Sequence, residues 1–168
     1  MIETKVAGVV LNSVSGAPIV ILKDSKNRIL PIVIGFFEAQ AILLVLEKVK
    51  LPRPLTHDLI KSIIKELNAE FVKLEITTLR ENTFFARILL RARGQITYID
   101  CRPSDGIALA LRCGVPIFVS KELMKERVSL GLSPESTRPI KLAEVKNFRK
   151  TLEGLKPEDF WKKLKEGG

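Results

Sequence analysis

The chain has 168 residues, 46% of them hydrophobic and 28% charged, which is typical of a globular protein with a sizeable core and excludes a disordered tail. Its net charge of +9 allows binding to phosphate-bearing partners, or merely indicates a lysine-rich solvated surface. The longest purely apolar run, "AILLVL", is far too short for a membrane span, and the N-terminus lacks the apolar run of a signal peptide. We therefore expect a cytoplasmic protein with no membrane partner, in which Cys101 and Cys113 are reduced packing residues.

Three segments of strand character open the chain, and a helix follows them. The strands are "KVAGVVLN", "APIVILKD" and "RILPIVI", separated by the turn sequences "SVSGAP" and "DSKNR". The next segment, "FFEAQAILLVLEKV", is apolar almost all round, which predicts a deeply buried helix. Pro52 and Pro54 follow this helix and break it, because proline cannot continue a helix.

The second half of the chain repeats this order after an intervening helix. "THDLIKSIIKELN" predicts that helix, and its apolar residues fall at helical spacing on one face: Leu59, Ile60, Ile63, Ile64 and Leu67. The strands "FVKLEITTL", "TFFARILLRA" and "QITYID" lead into a helix within "DCRPSDGIALALRCG" and a short strand in "PIFVS". A shift of 65 residues places Ile34 on Ile99 and Ile42 on Ile107, so we interpret the chain as a duplicated βββα unit. The predicted fold class is α+β, a mostly antiparallel sheet covered by helices.

The chain changes character after about residue 127, so we divide it into a domain over residues 1–127 and a helical extension over residues 128–168. "SLGLSPESTRP" predicts a loop, and "IKLAEVKNFRKTLEGL" and "PEDFWKKLKEGG" predict short helices. Apolar residues in these helices favour packing on the chain's own domain over an interface with another molecule.

Glu38 is the first candidate for chemistry. On the first predicted helix it shares a face with Ile42, Val45 and Val49, so a carboxylate lies in the first turn of a largely apolar face. A buried carboxylate is costly unless it is paired or bound to a metal. The alternative is a role at the start of the helix, where the helix dipole favours negative charge.

His57, the only histidine of the chain, begins the intervening helix together with Thr56 and Asp58. Thr56 is placed to cap the helix and Asp58 to interact with its dipole, which requires no catalysis. On a helical wheel His57 borders the apolar face while Asp58 points away from it, so a regular helix does not direct both to one metal. A partly buried structural histidine and a functional one are both compatible with this pattern.

The stretch "YIDCRPSDGIALAL" is the richest in polar side chains. In a continuing strand Asp100 and Arg102 point to the same face, Ser104 can cap the following helix, and Asp105 lies in its first turn. This pattern fits a functional site at the end of a strand, or an Asp100–Arg102 ion pair beside a capped helix.

Several standard catalytic motifs are absent from the sequence: a glycine-rich phosphate loop, a nucleophile elbow and a cysteine pair with zinc spacing. What the sequence offers is a set of carboxylates, one histidine and several arginines. Such groups suit phosphodiester hydrolysis, since carboxylates hold Mg²⁺ or Mn²⁺, the metal activates water, and cations stabilise the charged transition state.

Three segments resemble the bifunctional nuclease family, including small stand-alone bacterial members: "LPIVIGFFEAQAI", "RPLTHDL" and "DCRPSDGIALALRCGVPIFV". They occur in the family's order, and the resemblance covers about residues 1–125. Plant members are described as cleaving both DNA and RNA, so the resemblance implies a nuclease acting on nucleic-acid phosphodiesters. Gly106 stands where the family more often has alanine, and the tail does not clearly match the UVR-type helical module of many bacterial members. The family's motif positions in this sequence are Glu38, Arg53, Thr56, His57, Asp58, Asp100, Arg102, Ser104 and Asp105.

The function that we expect first is a metal-dependent nuclease acting on DNA or RNA. Its divalent ion, Mg²⁺ or Mn²⁺, is held by Glu38, Asp100 and Asp105, and His57 is the general base or supports a ligand. The expected catalytic residues are Glu38, His57, Asp58, Asp100 and Asp105. The expected substrate-binding residues are Arg53, Thr56, Arg102 and Ser104.

Two other functions are compatible with the sequence. One is a non-catalytic scaffold that binds protein or nucleic acid, in which arginines and backbone N–H groups satisfy each acidic side chain. The other is a small-molecule enzyme, which would need a deep and mostly apolar pocket. In each case we expect self-association, as a dimer, since the apolar content is high and the strands of an open sheet must be covered.

Overall fold

The computed structural model describes residues 1–125, 137–140 and 143–144. Within these residues, eight strands form one mixed, mostly antiparallel sheet that four helices accompany. The predicted α+β class is therefore confirmed. The strands are β1 (Ile2–Asn12), β2 (Pro18–Asp24), β3 (Ile29–Val33), β4 (Ala69–Arg80), β5 (Thr83–Ala92), β6 (Gln95–Cys101), β7 (Ile117–Val119) and β8 (Thr137–Pro139). The helices are α1 (Phe36–Leu46), α2 (Thr56–Glu66), α3 (Pro103–Cys113) and α4 (Lys121–Lys125).

The sheet consists of two antiparallel meanders joined by a short strand. The strand order is β3-β2-β1-β7-β4-β5-β6, and β8 pairs with the end of β1. The joining strand β7 is antiparallel to β1 and parallel to β4, with three paired positions on each side. The two meanders thus lie on either side of β7. Helix α1, which follows the first meander, packs against helix α3, which follows the second.

The main core lies between the sheet and helices α1 and α3. As predicted, α1 is largely buried, with Ile42 fully enclosed, and Ile107 of α3 is enclosed in the same way. Gly106 allows α3 to approach β4 closely, because a methyl group at this position would overlap the side chain of Leu74. Gly106 therefore has a packing role between α3 and β4.

The duplication inferred from the sequence stays a prediction. Both meanders are followed by a helix of 11 residues, as the repeated element order requires. These helices begin at residues 36 and 103, however, 67 positions apart, whereas the residue pairing proposed from the sequence used a shift of 65.

The described residues test the C-terminal predictions only in small part. Residues 137–139, which were expected to belong to a loop, form β8 because they pair with Val10, Leu11 and Asn12 of β1. Of the segment 140–168, in which short helices were expected, the structure describes only residues 140 and 143–144; the rest lies outside the described residues, and the domain boundary near residue 127 stays a prediction. In the described part of the chain, each helix is too short or too polar to span a membrane.

Candidate functional site

The first turns of α1, α2 and α3 meet around a small cleft, which we call the three-helix cleft. Its volume is about 210 Å³. Because the N-terminal end of a helix carries a partial positive charge, three such ends favour negative groups in this cleft. The lining residues are Phe37, Glu38, Gln40, Ala41, Leu55, Thr56, His57, Arg102 and Asp105.

Arg102 links two carboxylates of the three-helix cleft. Its Nη1 donates to Oε1 of Glu38 at 2.9 Å, its Nε donates to Oδ2 of Asp105 at 2.7 Å, and its Nη2 donates to Oδ1 of Asp105 at 3.2 Å. The Arg102 side chain is nevertheless 66% exposed. The guanidinium is therefore held in place by Glu38 and Asp105 while much of it stays accessible to a ligand.

His57 contacts the same Asp105 carboxylate. Its Nε2 lies 3.3 Å from Oδ1 of Asp105, and its side chain is 14% exposed. Burial opposes the ionisation of Asp105, but the hydrogen bond and charge of Arg102, followed by those of His57, outweigh this effect and hold the pKa of Asp105 below its ordinary value of 3.8. Asp105 is thus ionised near neutral pH and can orient the imidazole.

The Glu38 carboxylate lies over the start of its own helix, where Gly35 makes room for it. Gly35 is the N-cap of α1, and a methyl group at this position would overlap Oε2 of Glu38. Its other oxygen, Oε1, meets Arg102 as described above. Glu38 therefore combines the helix-dipole role and the paired-carboxylate role that the sequence left as alternatives.

Asp58 belongs to a different group of contacts, centred on Arg112. Arg112 Nε donates to Oδ1 of Asp58 at 2.8 Å, and its Nη1 donates to the carbonyl oxygens of Ala41 and Ala108, both at 2.9 Å. The Arg112 side chain is only 6% exposed. Burial opposes the ionisation of Asp58, but the backbone hydrogen bond of Leu55 and then the hydrogen bond and charge of Arg112 lower its pKa.

Sequence reasoning missed Arg112, because two of its partners, Ala41 and Asp58, come from helices that are distant in the sequence. The available signal was one cation within the apolar segment "ALALRCG". The contacts of Asp58 and Arg112 hold α2 and α3 together, which is a structural task.

The helix caps differ from those predicted. Leu55, not Thr56, is the N-cap of α2, and Thr56 is its first helical residue. Asp58 accepts a hydrogen bond from the backbone N–H of Leu55 at 2.9 Å, so the third helical residue supplies the capping contact. In α3, Arg102 is the N-cap and Ser104 is buried in the first turn, since Pro103 takes the first helical position that proline favours.

Asp100 lies away from the three-helix cleft. Strand β6 ends at Cys101, so the alternation that would direct Asp100 and Arg102 to one face stops before Arg102. Asp100 instead lines a cleft of about 470 Å³ together with Phe85 and Arg87. The structure thus brings together Glu38, His57, Arg102 and Asp105, and leaves Asp100 outside this group.

The expected metal ligands do not fit a divalent ion as a set. Glu38 and Asp105 both bind the Arg102 guanidinium, while Asp100 lines another cleft. Over residues 1–125, 137–140 and 143–144, no group of three or more His, Cys, Asp or Glu side chains is arranged to hold a metal ion. The cation that neutralises Glu38 and Asp105 in this site is Arg102.

Arg53 lines a larger cleft of about 600 Å³ that is also bordered by Lys48, Lys50, Asp58 and Arg112. Three of these cations, Lys48, Lys50 and Arg53, belong to exposed positions of the segment between α1 and α2. This cleft therefore adds positive charge to the surface close to the three-helix cleft, without contributing to the group around Arg102.

Comparison with known proteins identifies the family of this chain. The sequence model of the bifunctional nuclease domain matches residues 20–130, a range that includes all residues lining the three-helix cleft. An uncharacterized protein of Mycobacterium tuberculosis is 35% identical over 162 residues, which are 94% of this chain and 97% of that protein.

Plant relatives share a shorter region. Bifunctional nuclease 2 of Arabidopsis thaliana is 29% identical and bifunctional nuclease 1 of Oryza sativa subsp. indica is 26% identical, each over 105 residues. The shared region is 61% of this chain but 32% of each plant protein, so the plant proteins are much longer. The resemblance inferred from the three sequence motifs is confirmed, and the chain belongs to the bifunctional nuclease domain family.

Proposed function

We propose that the protein is a nuclease that hydrolyses phosphodiester bonds of DNA or RNA, with the three-helix cleft as its active site. The observation that carries the proposal is the chain of contacts from Arg102 through Asp105 to His57, within the region matched by the bifunctional nuclease domain. A phosphate-binding cation and a histidine oriented by a carboxylate are the groups that such a reaction requires.

Arg102 is the phosphate-binding residue in this proposal. Its exposed guanidinium presents planar donors that match two phosphate oxygens, and its contacts with Glu38 and Asp105 keep it oriented before substrate arrives. The positive ends of α1, α2 and α3 add to the attraction for a phosphodiester. As negative charge builds up on the phosphoryl oxygens in the transition state, Arg102 stabilises that charge.

His57 is the general base. Because Nε2 faces Asp105, Nδ1 is the nitrogen that takes a proton from the attacking oxygen, either of water or of an RNA 2′-hydroxyl. That oxygen forms the new bond to phosphorus, the bond between phosphorus and the leaving oxygen breaks, and the leaving oxygen takes up a proton from the imidazolium or from water. Ionised Asp105 stabilises the imidazolium between these two transfers.

A scaffold function is the second candidate, and one observation favours it. The carboxylates of Glu38, Asp58 and Asp105 are each paired with an arginine, which is the arrangement expected if these residues serve only to join the helices. The exposure of Arg102 distinguishes the two proposals, because a pair that is open to solvent contributes little to stability.

The decisive experiment measures cleavage of labelled single-stranded DNA and RNA with Mg²⁺, with Mn²⁺ and with chelator. His57→Gln and Arg102→Ala are compared with Arg91→Ala, a matched control because Arg91 is also an exposed arginine in an ion pair, with Glu70. We expect cleavage by the wild type and by Arg91→Ala, and losses of about 10²-fold or more in the two cleft variants.

Other outcomes would contradict parts of the proposal. Cleavage that survives in His57→Gln but is lost in Asp100→Asn would place the active site in the cleft beside Arg87. Loss of cleavage in chelator alone would restore a metal to the mechanism. Absence of cleavage with every substrate and metal would favour the scaffold function.

A further inference from the structure

The cleft that Arg53 lines, which we call the basic cleft, combines cations with an apolar wall. Its cations are Lys48, Lys50, Arg53 and Arg112, and its apolar wall consists of leucine, valine and proline side chains of residues 44–55. Its volume of about 600 Å³ lies in the range of sites that hold a small organic ligand. The basic cleft therefore suits a ligand that has both an anionic and an apolar part.

Three of these cations are not neutralised by other residues of the cleft. Among the described lining residues the one acid is Asp58, and Arg112 binds it at 2.8 Å. Lys48, Lys50 and Arg53 are exposed, and each lacks an ion-pair partner within the part of the chain that the structure describes. The basic cleft thus attracts negative charge, which its ligand has to supply.

The segment that carries Arg53 is stiff. Pro52 and Pro54 fix their own backbone angles and restrict those of Leu51 and Arg53, the residues that precede them. Since a stiff segment loses little conformational freedom when a ligand binds, its cations are presented at a low entropic cost.

Leu55, the N-cap of α2, lines both the basic cleft and the three-helix cleft. A chain molecule with one phosphodiester at Arg102 can therefore continue past Leu55 into the basic cleft. Arg102 also borders a third cleft, of about 310 Å³, in which it is the only cation among the described lining residues. The positive charge available to further phosphates thus lies on the side of Leu55.

We propose that the basic cleft binds the part of a single-stranded DNA or RNA substrate that adjoins the cleaved bond, with phosphates at Lys48, Lys50 and Arg53 and a base against the apolar wall. The inference rests on the proposed function, because it places the strand relative to the bond cleaved at Arg102. A single strand fits this cleft better than a duplex does, since its bases are open to apolar contacts while those of a duplex are stacked and paired inside.

Salt-dependent binding of a labelled single-stranded oligonucleotide, followed by fluorescence anisotropy, tests the proposal. Every variant also carries His57→Gln, so that binding is measured without cleavage. In the variant Lys48→Gln/Lys50→Gln/Arg53→Gln we expect the affinity to fall by about 10²-fold at about 0.1 M salt. The slope of log affinity against log salt concentration should become shallower by about 2, because each phosphate contact of a single strand contributes about 0.7.

The matched control removes the same charge elsewhere on the surface. Lys5→Gln/Lys23→Gln/Lys26→Gln changes three exposed lysines, none of which is among the residues lining the basic cleft or the three-helix cleft. This control is expected to keep the salt slope of its parent. Lys48→Gly then separates binding from folding: because the backbone φ of Lys48 is 54°, which suits glycine, we expect about fivefold weaker binding with no fall in melting temperature.

The other outcomes are equally clear. An unchanged salt slope in the basic-cleft variant, or an equal loss of affinity in the control, overturns the proposal whether or not the wild type cleaves nucleic acid. A duplex of the same sequence that binds as tightly as the single strand overturns the choice of substrate. If the expected losses occur but the wild type cleaves neither DNA nor RNA, the binding site stands and the proposed function fails.

Discussion

Arg102 and Asp105, three residues apart at the start of α3, form an ion pair with two hydrogen bonds, at 2.7 Å and 3.2 Å. The same carboxylate lies 3.3 Å from Nε2 of His57, on a different helix. Asp105 therefore positions both the phosphate-binding cation, Arg102, and the general base, His57, of the proposed site. Arg112, at the other end of α3, makes comparable contacts in a buried setting, so the two arginines provide a matched comparison.

We expect Arg102→Lys and Arg112→Lys to affect different properties. Arg102→Lys should lower cleavage by about 10²-fold with little change in the free energy of unfolding, because an exposed pair contributes little to stability. Arg112→Lys should lower the free energy of unfolding by about 2 kcal/mol, because it removes the hydrogen bonds to the buried carbonyls of Ala41 and Ala108. Urea unfolding and initial cleavage rates measure the two effects.

A loss of stability without a loss of cleavage in Arg102→Lys would refute the assignment of roles. If Arg102→Lys destabilises the fold as strongly as Arg112→Lys while cleavage by the remaining folded protein is normal, Arg102 is a structural residue and the scaffold function is favoured.

We expect Gly35→Ala to weaken cleavage without unfolding the protein. Its backbone is extended, a conformation that alanine adopts, but its methyl group would displace the Glu38 carboxylate. The Arg102 guanidinium then loses its present hydrogen bond to Glu38, one of its two carboxylate partners. The measurement is the cleavage rate of Gly35→Ala beside that of Glu38→Gln, and the two losses should be similar. Normal cleavage in Gly35→Ala together with a large loss in Glu38→Gln would show that the position of the Glu38 carboxylate is not critical.

Asp58 should make stability depend on pH in the acid range. Its pKa in the folded protein is lower than the ordinary value of 3.8, so its ionised form binds Arg112 and Leu55 more favourably than its protonated form does. This contribution is fully present above the ordinary value and is lost as the pH falls through the lower, folded value. Asp58→Asn should therefore show a smaller loss of unfolding free energy than the wild type on acidification below pH 3.8. Equal losses in urea titrations would show that Asp58 is not a source of the acid dependence.

Much of the fold was predictable from local patterns. Alternation and turn residues identify the strands of both meanders, an almost wholly apolar segment identifies α1, and helical spacing identifies α2. The exposure of the apolar side chains of α2 was not predictable in this way. A helical wheel shows that the helix has an apolar face, but it does not show whether that face is directed to the core. The strand β8 was missed since three residues with a proline carry no alternation, and its pairing partner lies far away in sequence.

The candidate site was predictable only where it depends on a helix start. Glu38, His57 and Asp105 each lie in a first turn, a local signal, and the convergence of three first turns brings them together. Asp100 was misplaced because a strand pattern does not show where the strand ends. Arg112 was missed because its partners are set by the packing of helices and not by the sequence around it.

The position of β7 has a consequence for how the protein folds. This strand lies between β1 and β4, yet it is made after both, and Thr4 Oγ1 of β1 donates to the carbonyl oxygen of Ile117 across 113 residues of sequence. During synthesis the two meanders can each pair internally, but the strand that joins them is made after both of them. We therefore expect slow assembly, because contacts between distant residues form late. A ribosome-bound chain that ends before Ile117 would contain α1, α2 and α3, which form the three-helix cleft. It would lack β7, the strand that joins the two meanders into one sheet.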